Sequence, residues 1–103
     1  MATVVEAGET LVLTVEVPLA TPPEAPERVA AAFLARITVR TKLVVLSQMT
    51  YLTGQILPIR TIADALAKHG IPLLVDGAPG IGLLPDTLDE LGGAFYTACL
   101  HKW

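Results

Sequence analysis

A lysine and an aspartate each close a predicted strand, and together these residue types can carry chemistry. Lys102 lies just beyond the apolar segment 94–98, and Asp76 directly follows the apolar segment 73–75. A lysine amine in a partly desolvated pocket has a lowered pKa, which favours its neutral, nucleophilic form. A carboxylate at short range stabilises a positive charge on a neighbouring group. The pair therefore suits a reaction that needs an amine nucleophile and a fixed anion.

The pair fits the chemistry of pyridoxal phosphate in particular. That cofactor needs a lysine to form a Schiff base with its aldehyde, and an acid to keep its pyridine nitrogen protonated as part of an electron sink. Lys102 could instead be a solvated lysine, and Asp76 could simply cap the turn that it forms with Gly77. His101 could shape the pocket or shuttle protons beside the lysine, or could be a surface histidine.

Three further features have a weaker link to chemistry. Thr50 is a candidate polar contact to the cofactor, although turn chemistry explains a threonine there equally well. The glycine-rich segment 77–82 lacks the G-x-G-x-x-G pattern, and Pro79 removes an N–H donor, so we interpret it as a plain loop. Cys99 has no second cysteine or acid at ligand spacing, and we predict no metal site.

The order of elements predicts an α/β fold with a mainly parallel sheet and crossover helices. In such sheets ligands bind beyond the carboxyl ends of the strands, where Thr50, Asp76 and Lys102 all fall. The predicted strand at 41–47 has a continuous apolar run at 43–46, which is typical of a strand covered on both faces. We predict strands at 10–17, 41–47, 71–75 and 94–98, helices at 27–37 and 58–69, and a short helical turn at 86–91 capped by Asp86.

Composition limits the classes of protein to which the chain can belong. Its 103 residues allow one domain at most. They are 52% hydrophobic and only 17% charged, whereas ordinary domains carry roughly 25% charged residues. We therefore expect either a large face buried against another subunit or a piece of a larger domain. A net charge of −3 without a basic cluster argues against nucleic-acid binding.

Two further sequence features bear on the environment of the chain. No apolar run approaches the roughly 20 residues that span a bilayer, so we expect no membrane partner. The single cysteine, Cys99, cannot form an internal disulfide, which fits a reducing cytosol. We therefore predict a cytoplasmic location.

Residues 40–103 resemble enzymes of the class V aminotransferase fold, and the branch that they resemble most is that of the isopenicillin N epimerase-like proteins. Cysteine desulfurases and selenocysteine lyases are related to this branch. Each motif is weak alone, and their combination is specific. The motifs are RTKLVVLS at 40–47, Thr50, Thr53-Gly54, ILPI at 56–59, VDGA at 75–78, ELG at 90–92, FYT at 95–97 and HKW at 101–103.

The resemblance implies a pyridoxal phosphate enzyme of fold type I that is considerably longer than this chain. Lys102 then matches the Schiff-base lysine, Asp76 the acid at the pyridine nitrogen, and His101 the histidine that precedes the lysine. Residues 1–103 would form part of the large, cofactor-binding domain, without its amino-terminal part and without the small carboxyl-terminal domain. The substrate would be a small amino acid or amine, and the protein would be a homodimer or would associate with the missing segments.

Four positions depart from the pattern of the family. Gln48 stands where a histidine is common, and Tyr51 replaces a small polar residue or asparagine. Pro79 replaces a histidine or glutamine that would contact the cofactor hydroxyl, and Cys99 replaces a serine or asparagine often used for the phosphate. Two hypotheses therefore stay open: an epimerase, lyase or aminotransferase type of enzyme, and a truncated or degenerate relative that acts as an interaction module through exposed apolar faces.

Overall fold

The computed structural model describes residues 2–7, 12–16, 25–50, 54–80 and 82–99. Helices and strands alternate from the first helix onward, as the α/β prediction requires. The elements are β1 (Ala2–Ala7), β2 (Val12–Glu16), α1 (Pro26–Leu34), β3 (Thr41–Ser47), α2 (Ile59–Ala67), β4 (Leu73–Asp76), α3 (Leu88–Leu91) and β5 (Phe95–Thr97).

The strands form one sheet in the order β2-β1-β3-β4-β5. Strands β3, β4 and β5 pair in parallel, with α2 and α3 as the connections between them. Strand β1 pairs antiparallel with both β2 and β3, so it alone runs against the other four described strands. The α/β class is confirmed. The reversed strand β1 was not predicted, because its sequence ATVVEA alternates too weakly between polar and apolar residues to be recognised by period.

The core of the described part lies between two helices and one face of the sheet. Val44 and Leu46 of β3 and Val75 of β4 are fully buried, and they belong to one cluster with Phe33 of α1 and Ile62 of α2. Such close packing excludes water from the helix side of the parallel strands.

The opposite face of the sheet is more open than the continuous apolar run of β3 suggests. Leu43, Val45 and Leu74, which alternate with the core residues, are only half-buried. Phe95 on the edge strand β5 is 58% exposed. Within the described residues, β3 is thus fully covered on one face only, and the prediction of two covered faces was wrong there.

The helices begin close to their predicted starts. Helix α2 buries the predicted stripe through Ile59, Ile62, Ala63 and Leu66. Helix α1 ends at Leu34, earlier than predicted, because the N–H groups of Arg36 and Ile37 bond to carbonyls three residues back, which tightens the chain into a turn.

The short helix α3 is capped by Thr87 rather than by Asp86. The Thr87 hydroxyl accepts from the Glu90 N–H, and the Glu90 carboxylate accepts from the Thr87 N–H at 2.7 Å. This reciprocal capping box leaves Asp86 free for a different contact, with Gln48. None of the helices in the described ranges has the length and hydropathy required to cross a membrane.

Candidate functional site

Asp76 is the last residue of β4, the middle strand of the parallel part of the sheet. Its carbonyl oxygen accepts the Gln48 N–H at 3.0 Å, from the residue that follows β3. The next N–H, of Gly77, donates to the Thr97 carbonyl at 2.8 Å, at the end of β5. Backbone hydrogen bonds therefore join the carboxyl ends of β3, β4 and β5 at Asp76. We call this edge of the sheet the carboxyl rim.

The Asp76 carboxylate is half-buried and held by its own turn. Its Oδ1 accepts the Ala78 N–H at 3.1 Å. This is the turn contact that the Asp-Gly pair predicts. No described residue donates a hydrogen bond to Oδ2, so that oxygen is available to a ligand. Turn capping and ligand binding are therefore compatible at this residue, because they use different oxygens.

Thr50 lies in the loop after β3 and is used by that loop. Its hydroxyl oxygen accepts the Gln55 N–H at 2.9 Å, and its own N–H donates to the Gln55 carbonyl at 2.8 Å. These contacts are the turn chemistry that was the alternative explanation for this residue. A contact between Thr50 and a cofactor stays a prediction.

The remaining predicted site residues lie at or beyond the end of β5. Cys99 is half-buried, and its thiol is free of any disulfide. His101 and Lys102 lie outside the described residues, so their roles stay predictions. In the described ranges there is no cluster of three or more metal-ligating side chains.

Next to the carboxyl rim, Gln48 and Tyr96 form a hydrogen-bonded pair that the sequence did not predict. The Tyr96 hydroxyl donates to Oε1 of Gln48 at 3.0 Å, and Gln48 Nε2 donates to Oδ2 of Asp86 at 3.4 Å. Gln48 is only 2% exposed. Burial raises the pKa of Tyr96, and the nearby negative charges of Asp76 and Asp86 raise it further. Tyr96 therefore stays protonated and serves as the donor.

Two glycines of the turn after Asp76 lie directly against this pair. A Cβ added to Gly77 would overlap the ring of Tyr96, and one added to Gly80 would overlap the Gln48 carboxamide. The turn closes with the Gly80 N–H donating to the Gly77 carbonyl at 2.9 Å. The glycine-rich segment therefore packs closely on Gln48 and Tyr96, and this packing accounts for Gly77 and Gly80 without a phosphate-binding role.

Sequence signals for this pair were weak. In the sequence, Gln48 stands out only as a departure from a family pattern, and Tyr96 only as part of the motif FYT. Because 48 residues separate the partners, only the topology of the sheet brings them together.

The fold and the motifs have counterparts among known proteins. A family model described as aminotransferase class-V matches residues 4–103. Putative L-cysteine desulfhydrase 2 of Oryza sativa subsp. japonica is 31% identical over 99% of this chain and 22% of its own length. Isopenicillin N epimerase of Streptomyces clavuligerus is 35% identical over 79% of this chain and 20% of its own length.

A solved structure supports the same relationship. The cysteine desulfurase CsdA of Escherichia coli superposes with a TM-score of 0.72 and 27% identity, over 85% of this chain and 21% of that chain. This chain thus spans about a fifth of the length of these relatives. Because the family model covers nearly all of its residues, the chain belongs to the class-V aminotransferase family, whose enzymes depend on pyridoxal phosphate.

Proposed function

We propose that this chain is the segment of a pyridoxal phosphate-dependent enzyme that carries the acid for the ring nitrogen and the lysine for the aldehyde. Asp76 is the acid, and Lys102 is the lysine that forms the Schiff base. The substrate is an amino acid or amine. The observation that carries this proposal is the Asp76 carboxylate at the carboxyl rim, with one oxygen held by the turn and the other available.

The surroundings of the Asp76 carboxylate suit it to accept a hydrogen bond from a protonated pyridine nitrogen. The carboxylate is half-buried, so its attraction for a cation is stronger than in bulk water. The Ala78 N–H holds Oδ1 in place, which orients the carboxylate before a ligand arrives. Pro79 has no N–H, so backbone donation to the cofactor cannot come from that position.

Each proposed residue has a separate task. When bound, pyridoxal phosphate serves as an electron sink for negative charge on the substrate α-carbon. Asp76 keeps the proton on the ring nitrogen, and the Lys102 amine holds the cofactor and moves the α-proton. His101, beside the lysine, shapes the pocket or shuttles protons. Thr50 and Cys99 are proposed as polar contacts to the cofactor.

The type of reaction is a finer proposal. The matched relatives include L-cysteine desulfhydrases, cysteine desulfurases and isopenicillin N epimerases. The desulfhydrase match extends over 99% of the chain, and the epimerase match over 79%. We therefore favour a lyase reaction on an α-amino acid, with epimerisation as the alternative.

Covalent trapping tests the proposal. The chain is incubated with pyridoxal phosphate and reduced with borohydride, and the labelled peptide is identified by mass spectrometry. We expect label on the peptide that contains Lys102, and its loss in Lys102→Ala. Lys42→Ala and Lys68→Ala are matched controls that should keep the label. Equal labelling of all three lysines would mean that Lys102 has no special environment, and would overturn the proposal.

Exposed apolar surface favours a second candidate function, that of a non-catalytic interaction module. Val39 is 98% exposed, and it borders an apolar groove of about 530 Å³ that Leu34, Ile37 and Ile71 also line. This groove lies at the amino-terminal ends of β3 and β4, away from Asp76. A chain that takes up no pyridoxal phosphate yet forms a defined complex, including a homodimer, would favour this function over the enzymatic one.

A further inference from the structure

The turn after Asp76 is attached to its surroundings through Gln48 and Tyr96 at both ends. Gln48 donates its backbone N–H to the Asp76 carbonyl, while its side chain lies against Gly80. The Tyr96 ring lies against Gly77, whose N–H donates to the carbonyl of Thr97, the next residue along β5. Tyr96 on β5 and Gln48, the residue after β3, therefore contact the start and the end of one turn.

The hydrogen bond between the two side chains favours a single arrangement of this contact. The Gln48 carboxamide is almost completely buried, so the loss of its partner would leave a polar group unsatisfied away from water. The Tyr96 hydroxyl supplies that partner at 3.0 Å. Because the ring and the carboxamide both touch the turn, a shift of either would free the turn to move.

Movement of the turn would reach the Asp76 carboxylate directly. Its Oδ1 is held by the N–H of Ala78, which lies within the turn between the two contact points. We propose that Gln48 and Tyr96 are positioning residues, whose mutual hydrogen bond holds the turn at 77–80 and thereby fixes the Asp76 carboxylate for a ring nitrogen. The identity of that ligand depends on the proposed function, whereas the fixing of the turn does not.

Amide hydrogen exchange tests, without any cofactor, whether the hydrogen bond between Gln48 and Tyr96 holds the turn at 77–80. Tyr96→Phe removes the hydroxyl and keeps the ring, and Gln48→Met removes the carboxamide at similar volume. We expect the amides of Gly77, Ala78 and Gly80 to exchange about fivefold to tenfold faster in both variants, the scale of one net hydrogen bond. Gln55→Met, the same change in the loop after β3, should leave these amides unchanged. Equal exchange in wild type and variants would overturn the proposal.

Binding of two ligands tests whether the held turn fixes the Asp76 carboxylate for a ring nitrogen. One is pyridoxal phosphate, and the other is its analogue with carbon in place of the ring nitrogen. We expect Tyr96→Phe to weaken binding of pyridoxal phosphate about tenfold, which is the scale of one charge-assisted hydrogen bond, and to leave binding of the analogue unchanged. A general structural defect would weaken both ligands alike, and that result would contradict a positioning role.

A double variant tests whether the effect of Tyr96 on affinity acts through Asp76. In an Asp76→Ala background the hydroxyl has no carboxylate to position, so adding Tyr96→Phe should cause no further loss of affinity. Additive losses would overturn the coupling. A wild-type chain that takes up no pyridoxal phosphate would overturn the proposed function, and with it the ring-nitrogen role. The exchange experiment would then still decide whether the pair holds the turn.

Discussion

At the scale of single residues, Gly77 has the least room for a side chain among the described glycines. An added Cβ would overlap the Tyr96 ring, so we expect Gly77→Ala to destabilise the fold by about 1–3 kcal/mol, the usual cost of overpacking. Chemical denaturation measures this loss. Because the cost is steric, it should shrink in a Tyr96→Ala background, where the ring is gone. An equal cost in both backgrounds would show that the ring is not the obstacle.

At the scale of elements, the capping box of α3 makes the stability of the fold depend on the titration of Glu90. The Thr87 N–H and hydroxyl lower the pKa of Glu90 below its ordinary value of 4.5. A lowered folded-state pKa stabilises the fold at neutral pH, and this contribution is lost as pH falls below the unfolded pKa. We expect Glu90→Gln, which keeps an acceptor but does not titrate, to lose less unfolding free energy than wild type on acidification. Identical pH profiles would contradict this.

The same scale shows which parts of the fold and the site could be predicted from sequence. Strand β3, the buried stripe of α2 and the position of Asp76 after apolar residues follow from local periodicity, which one segment displays alone. The pairing of Gln48 with Tyr96 does not, because it depends on β4 lying between two strands that are distant in sequence. The candidate role of Lys102 came from its residue type, its place after β5 and the family resemblance together.

At the scale of the whole molecule, one face of the described sheet has exposed or half-buried apolar side chains. Phe95 lies on β5, an edge of the described sheet, and is 58% exposed. The half-buried Leu74 and Val45 lie on the same face as Phe95, as the strand registers indicate. An edge strand with unpaired backbone groups and an exposed aromatic residue is prone to pair with another chain.

We therefore expect the purified chain to self-associate at micromolar concentration, as measured by sedimentation velocity. Phe95→Glu should reduce this association, because it places a charge on the edge strand that would pair. Leu83→Glu is the matched control: it adds the same charge at a side chain that is 67% exposed but outside every described strand, so its effect should be smaller. Equal effects would point to net charge rather than to the edge strand. A wild-type chain that sediments as a compact monomer would show that this apolar face needs no partner.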